Sequence, residues 1–329
     1  MPGTEYNLHG APLSLFTRKL EAALTFYGVP FEHTQKGTNE ESDLEKRAGT
    51  HQIPILVTPE NWALADTTPI LQLLDSRFPH RRLFPEGPLG VLVHIAEEVL
   101  DEWVARVMVH YRWHKEENTR DVISLFSGQD ISLEEARKHP VAQWGPRACR
   151  ATGTERPEHQ EAAEQEYLAL MAALDAQLTH TAYALGDRPT AVDCILLGGL
   201  RAHTNRDPYP DLSQFKNVMA WDAHRADRWD GTGGLAPFPT TTPLGTFLFE
   251  MTRDHYVPVL AGHEKALVAG DKTFTVDTYG APCTYLARPY PVASANMVRR
   301  RIANELTDDG RDQVTSWLED TGLTCFLPT

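Results

Sequence analysis

Residues 8–20 constrain the fold most, because a strand end gives way there, within a few residues, to the start of a helix. Tyr6 and Leu8 suit a short strand, and Gly10 and Pro12 punctuate a turn. The apolar residues Leu20, Ala23, Leu24 and Tyr27 then recur at helical spacing until Gly28 stops the helix. Ser14 or Thr17 can cap it. A hydroxyl at a helix start faces unpaired backbone amides and the positive end of the helix dipole, a favourable place to hold an anion such as a thiolate. Capping is the ordinary use of such a serine, and from this stretch alone it is the stronger reading of Ser14.

Residues 29–33 predict a second strand, 38–48 a polar segment with helical character, and 52–57 a third strand entered through Pro54. Ala63, Leu64 and Ala65 lead into a helix capped at Asp66, with Pro69 in its first turn. This order resembles the α/β, thioredoxin-like N-terminal domain of the glutathione S-transferase superfamily. The resemblance puts Ser14 where classes of that family carry the serine or cysteine facing the glutathione sulfur, followed by Phe16 and Arg18. It makes Ile53-Pro54 the family's cis-proline pair, whose preceding backbone, at His51, Gln52 and Ile53, meets the cysteinyl part of glutathione. Asp66 and Thr67 stand where Glu-Ser usually binds the γ-glutamyl end; the shorter carboxylate and the added methyl are departures that bear on pocket depth. His9 lies close to the place of a catalytic tyrosine in other classes and is the second candidate for thiol activation; a strand-end histidine facing solvent is its plain alternative.

The chain has 329 residues, room for two or three compact units. Its 45 acidic against 31 basic residues give a formal net charge of -14, which argues against a sequence-independent grip on nucleic acid or an anionic membrane. Four cysteines, Cys149, Cys194, Cys283 and Cys325, show neither a CxxC pair nor ligand spacing, so separate reduced thiols are expected. No apolar run reaches the length of a membrane span and no basic leader precedes one, so a cytoplasmic protein is expected.

Prolines and charge near residue 84 mark a linker. A long helix is predicted over 89–114, carrying Trp103, Tyr111 and Trp113. Its Asp101-Glu102-Trp103 and His110-Tyr111-Arg112-Trp113 segments resemble a bacterial branch of the superfamily with a long C-terminal extension. His110 and His114, four apart, share a helical face, yet no further ligands stand near in sequence, so no metal is expected. The pattern over 118–157 is indecisive between helix and loop insertion. Thr190 and Asp193 have the spacing of a capping box ahead of a strongly apolar helix, a structural role that the resemblance repeats.

A Gly, Pro and Thr-rich linker opens at Asp230. Beyond it, helix is predicted over 244–268 with a break or kink at Pro258, then a hairpin around Tyr279 and Gly280, then helices over 294–306 and 308–321. Arg299, Arg300 and Arg301 are read most simply as a solvated helix face, with binding of an anionic substrate or a partner surface as the alternative. The expected units are therefore a thioredoxin-like domain at 1–84, an all-α glutathione-transferase C-terminal domain at 85–230, and a mostly helical extension at 231–329.

The resemblance implies a glutathione transferase with a role in detoxification, in which Ser14 holds the thiol of glutathione, its co-substrate, as a thiolate for attack on a small electrophile. A glutathione-dependent lyase, isomerase or ether-cleaving enzyme shares the thiolate site, and a noncatalytic binding module on the same scaffold is the third reading. A homodimer is likewise implied by the resemblance.

Overall fold

Strand β1 (Tyr6–Gly10) buries Tyr6, Leu8 and Gly10 and turns Asn7 and His9 to the opposite face, the two-residue period of a strand packed on one side. In the computed structural model, which describes residues 5–36 and 43–328, β1 is an inner strand of a four-stranded mixed sheet. The order is β2 (Phe31–Gln35), β1, β3 (Ile55–Val57), β4 (Ala63–Ala65). β1 and β2 run parallel and the other pairs antiparallel. Helix α1 (Leu15–Tyr27) lies on the buried face of β1, so closely that a Cβ on Gly10 would sit 2.4 Å from the Thr17 hydroxyl. Helix α2 (Asp43–Ala48) buries none of its residues, and α3 (Thr67–Arg77) contributes Ile70, Leu71 and Leu74 to the core. This is the thioredoxin-like arrangement. The third strand begins at Ile55, not Gln52; Pro54 has no N–H to give a ladder. Of the predicted polar segment, residues 38–42 lie outside the described residues and 43–48 are helical.

Helix α4 (Gly87–Val99), a π turn over Leu100–Val104 and α5 (Ala105–His114) form one rod, in line with the predicted long helix. The stretch that sequence pattern left open is largely helical, in α6 (Glu116–Ser127), α7 (Leu133–Lys138) and α8 (Trp144–Ala151). Ile123, Ala136 and Ala142 form only a small satellite core there, which explains the weak apolar period. Helices α9 (Pro157–Gln177), α10 (Ala191–Gly199) and α11 (Lys216–Ala220) complete the all-α part.

The extension holds α12 (Pro243–Met251), a π turn over Thr252–Tyr256, and α13 (Val257–Ala269). Pro258 directly follows the π segment, so an irregular turn stands where the break or kink is expected while the helix itself runs on. Strands β5 (Thr273–Thr278) and β6 (Ala281–Leu286) form the predicted hairpin, with Tyr279 and Gly280 at positive φ in its turn. Helices α14 (Pro289–Glu305) and α15 (Asp308–Thr321) follow. Buried apolar side chains from all three parts, Tyr6 to Phe326, make one continuous cluster.

The expected solvated arginine face is corrected. Arg301 is 7% exposed, lies over the Phe84 ring and donates to the Pro85 carbonyl at 3.3 Å, while Arg299 donates to the Cys325 carbonyl at 2.9 Å and pairs with Glu264 at 2.6 Å. Arg300 alone stays exposed. Lengthy arginine stems cover apolar surface while their forks take up buried carbonyls, which a charge run in sequence does not reveal.

Candidate functional site

The end of β1, the start of β3 and the end of β4 meet at one edge of the sheet. Ile55 is paired with His9 on one side and Ala65 on the other. Carrying that register one residue further sets Pro54 between Gly10 and Asp66. The Ile53-Pro54 bond is cis, as the resemblance led one to expect. The residues leading into it are tethered, since Lys36 Nζ donates to the His51 carbonyl at 3.1 Å and Gln52 N–H donates to Thr50 Oγ1 at 3.1 Å. His51 and Gln52 themselves are exposed.

Ser14 is the half-buried N-cap of α1. Its Oγ accepts the Thr17 N–H at 3.3 Å, so the cap occupies a lone pair and leaves the hydroxyl proton uncommitted by that bond. The loop before it is held from several directions. Ala11 N–H donates to Thr17 Oγ1 at 3.3 Å, Arg18 Nε donates to the Pro12 carbonyl at 3.2 Å, and Arg112 of α5 donates to the Leu13 carbonyl at 2.7 Å. Arg112 is in turn fixed by Asp207 at 2.9 Å and by the Ala202 carbonyl. Sequence reading missed Arg112, because nothing local marks a residue that acts on a loop about a hundred positions away.

His9 stands apart from this arrangement. Gly10 faces α1, so its neighbour His9 points to the other side of the sheet, with Arg47 and His33 as neighbours. Burial first, then the Arg47 guanidinium and the nearby His33 ring, hold its pKa below the usual histidine value.

Asp66 corrects a second expectation. It precedes α3 with φ of 72° and its side chain makes no capping bond, because this backbone turns the carboxylate away from the first amides of the helix. The carboxylate instead accepts the hydroxyl of Tyr290, from the start of α14, at 2.8 Å. Thr67 and Thr68 are buried, and Thr68 Oγ1 donates to Glu97 at 2.7 Å.

Behind the site lies a buried charge cluster. Lys19 of α1 is fully buried and donates to Glu97 at 2.5 Å and Asp101 at 2.6 Å. Burial alone would lower its pKa, but Asp101 and Glu97 outweigh that and hold it above the ordinary lysine value, so it stays charged. The signal was available in sequence: Leu15, Lys19, Ala22 and Phe26 share one helical face. Further along, Glu98 accepts the Tyr256 hydroxyl at 2.6 Å and the Ser294 hydroxyl, and Glu102 accepts Arg288 at 3.4 Å.

Thr190 and Asp193 cap α10, with the Asp193 carboxylate accepting Thr190 N–H at 2.7 Å, Thr190 Oγ1 at 3.0 Å and Ala184 N–H at 2.8 Å. Burial raises its pKa to about 6. The cap positions the site indirectly, since α10 packs along α1. His110 and His114 share a hydrogen bond between their Nδ1 atoms at 2.8 Å, and His110 Nε2 lies 2.7 Å from Glu164. Among the described residues no group of three or more His, Cys, Asp or Glu side chains could hold a metal ion, and no helix is long and apolar enough to cross a membrane.

Comparison with known proteins bears on the same residues. Residues 8–82 match the family model for the glutathione S-transferase N-terminal domain, and residues 125–226 that for its C-terminal domain. No curated protein matches the chain. Among solved structures, a glutathione S-transferase from Rhodospirillum rubrum F11 aligns at 14% identity over 68% of this chain and 90% of its own, with a TM-score of 0.46. One from Methylobacillus flagellatus KT, with glutathione bound, aligns at 16% identity over 67% and 93%, with a TM-score of 0.44. FzlA from C. crescentus aligns at 17% identity over 72% and 97%, with a TM-score of 0.45. The two family models together span more than half of the sequence, one on the sheet that carries Ser14, Pro54 and Asp66 and the other on the helices around Asp193: the chain belongs to the glutathione S-transferase family.

Proposed function

We propose that this protein is a glutathione transferase in which Ser14 donates a hydrogen bond to the glutathione sulfur. The observation that carries the reading is the Ser14 hydroxyl at the N-terminus of the 13-residue helix α1, on the same sheet edge as cis-Pro54 and Asp66. A free thiol with a pKa near about 8.5 is only a few per cent ionised at neutral pH, and the thiolate is the nucleophile. A hydrogen bond from Ser14 and the positive end of α1 both favour the charged form. Lowering the pKa by about two units corresponds to roughly 2.7 kcal/mol of differential stabilisation. The thiol proton leaves to solvent, a sulfur lone pair forms the new bond to the electrophilic carbon, and the leaving group departs with its bonding electrons. Ser14 is not itself modified.

The backbone at His51, Gln52 and Ile53 would receive the cysteinyl part of glutathione, and Asp66 with Thr67 its γ-glutamyl end. His9, on the other face of β1, is the weaker candidate for thiol activation. The accompanying expectation is a cytoplasmic homodimer acting on small electrophiles. Calorimetric titration with glutathione, followed by product analysis with an activated aryl halide, tests the reading. Binding with formation of the aryl thioether supports it. Binding without turnover of any electrophile class replaces it with a noncatalytic glutathione-binding module, and absence of binding removes it.

A further inference from the structure

The C-terminal extension reaches the opposite end of the chain at one polar contact beside the candidate site. Tyr290, at the start of α14, donates its hydroxyl to Asp66 Oδ1 at 2.8 Å across 224 positions of sequence. Only one carboxylate oxygen is taken by this bond, and Asp66, turned outward by its φ of 72°, makes no capping bond with the other. Partial burial and the adjoining carboxylate push the Tyr290 phenol above its ordinary pKa, so the hydroxyl keeps its proton and remains a donor.

The segment carrying Tyr290 is anchored independently. Arg288 reaches Glu102 at 3.4 Å, its backbone N–H donates to His263 Nδ1 at 3.1 Å, and Ser294 one turn on donates to the buried Glu98. The aspartate here is one methylene shorter than a glutamate, and a donor fixed at one oxygen orients the other.

We propose that Tyr290 is a positioning residue of the glutathione site, its hydroxyl orienting the Asp66 carboxylate so that the free oxygen accepts the ammonium of the γ-glutamyl group. The extension thereby completes the site within one chain. This rests on glutathione being the ligand.

The test is a double-mutant cycle on the full chain, measuring the glutathione Kd of wild type, Tyr290→Phe, Asp66→Asn and the double variant by calorimetry. Tyr290→Phe raises Kd about 5- to 10-fold in the wild-type background, the effect of a hydrogen bond to a charged group. In the Asp66→Asn background it has little further effect. The thermal midpoint and the thiol pKa of bound glutathione stay as in wild type, which a general structural defect would not allow. An unchanged or lower Kd in Tyr290→Phe overturns the proposal, as does an equal loss in both backgrounds, while wild-type glutathione binding still supports the functional reading. A wild-type protein that does not bind glutathione overturns both.

Discussion

The Lys19 ammonium lies 2.5 Å from Glu97 Oε1, and both side chains are sealed from solvent. This contact, with Asp101 as the second partner at 2.6 Å, fastens the helix that starts at Ser14 to the long rod of the all-α part. Sheet and helices therefore share a charge pair as well as a hydrophobic core.

Removing the cation leaves two carboxylates buried without it. Lys19→Met is expected to cost about 3–5 kcal/mol, more than the loss of its packing would explain. Urea denaturation of Lys19→Met and of Lys19→Met combined with Glu97→Met and Asp101→Leu checks this: the triple variant should recover much of the loss. Equal stability of the two variants would point to lost packing instead.

Close approach of α1 to α10 depends on Gly198. A Cβ there would lie 2.7 Å from the Leu15 carbonyl oxygen and 2.9 Å from the Lys19 nitrogen, both backbone atoms that cannot step aside separately. Gly198→Ala should therefore destabilise the fold by about 1–3 kcal/mol, despite the better helix propensity of alanine. A rise in the denaturation midpoint would show that the helices are free to separate.

Burial pushes the His110 pKa down to about 4, even with Glu164 alongside. The unfolded chain then binds the proton more tightly than the native one, so the histidine's contribution is fully present above pH 6.5 and is lost as pH falls towards 4. The loss is about 1.4 kcal/mol per pH unit within that window. Between pH 7.5 and pH 5, wild type should lose about 2 kcal/mol more stability than His110→Gln, which has no proton to gain. Parallel losses would contradict a neutral buried imidazole. The comparison with the variant matters because buried acids such as Asp193, held at about 6, act with the opposite sign.

What was legible in the sequence was what local chemistry encodes. The strand-turn-helix around Ser14, the capping box at Thr190 and Asp193, the long rod and the hairpin at Tyr279 each announce themselves in contiguous local pattern, and each is present in the structure. The proline pair was readable through family resemblance, and its bond is cis. Features set by distant partners were not legible. Asp66 reads as a cap and is turned instead towards Tyr290; Arg301 reads as solvated and lies buried over Phe84; Arg112 gave no signal of its hold on the Leu13 carbonyl. Long-range side-chain bonds leave no periodic trace, whereas caps and turns do.

The central claim is that Ser14 holds the glutathione sulfur as a thiolate, and a difference-absorbance titration of bound glutathione against pH tests it most directly. It is run on wild type, Ser14→Ala and Ser14→Thr, the last keeping a hydroxyl and a helix cap. Wild type and Ser14→Thr should show a thiol pKa well below the free value, and Ser14→Ala one that returns towards it, while losing about 1 kcal/mol of stability with the cap. Bound glutathione whose thiol titrates as it does in solution, or whose lowered pKa survives in Ser14→Ala, would contradict the account.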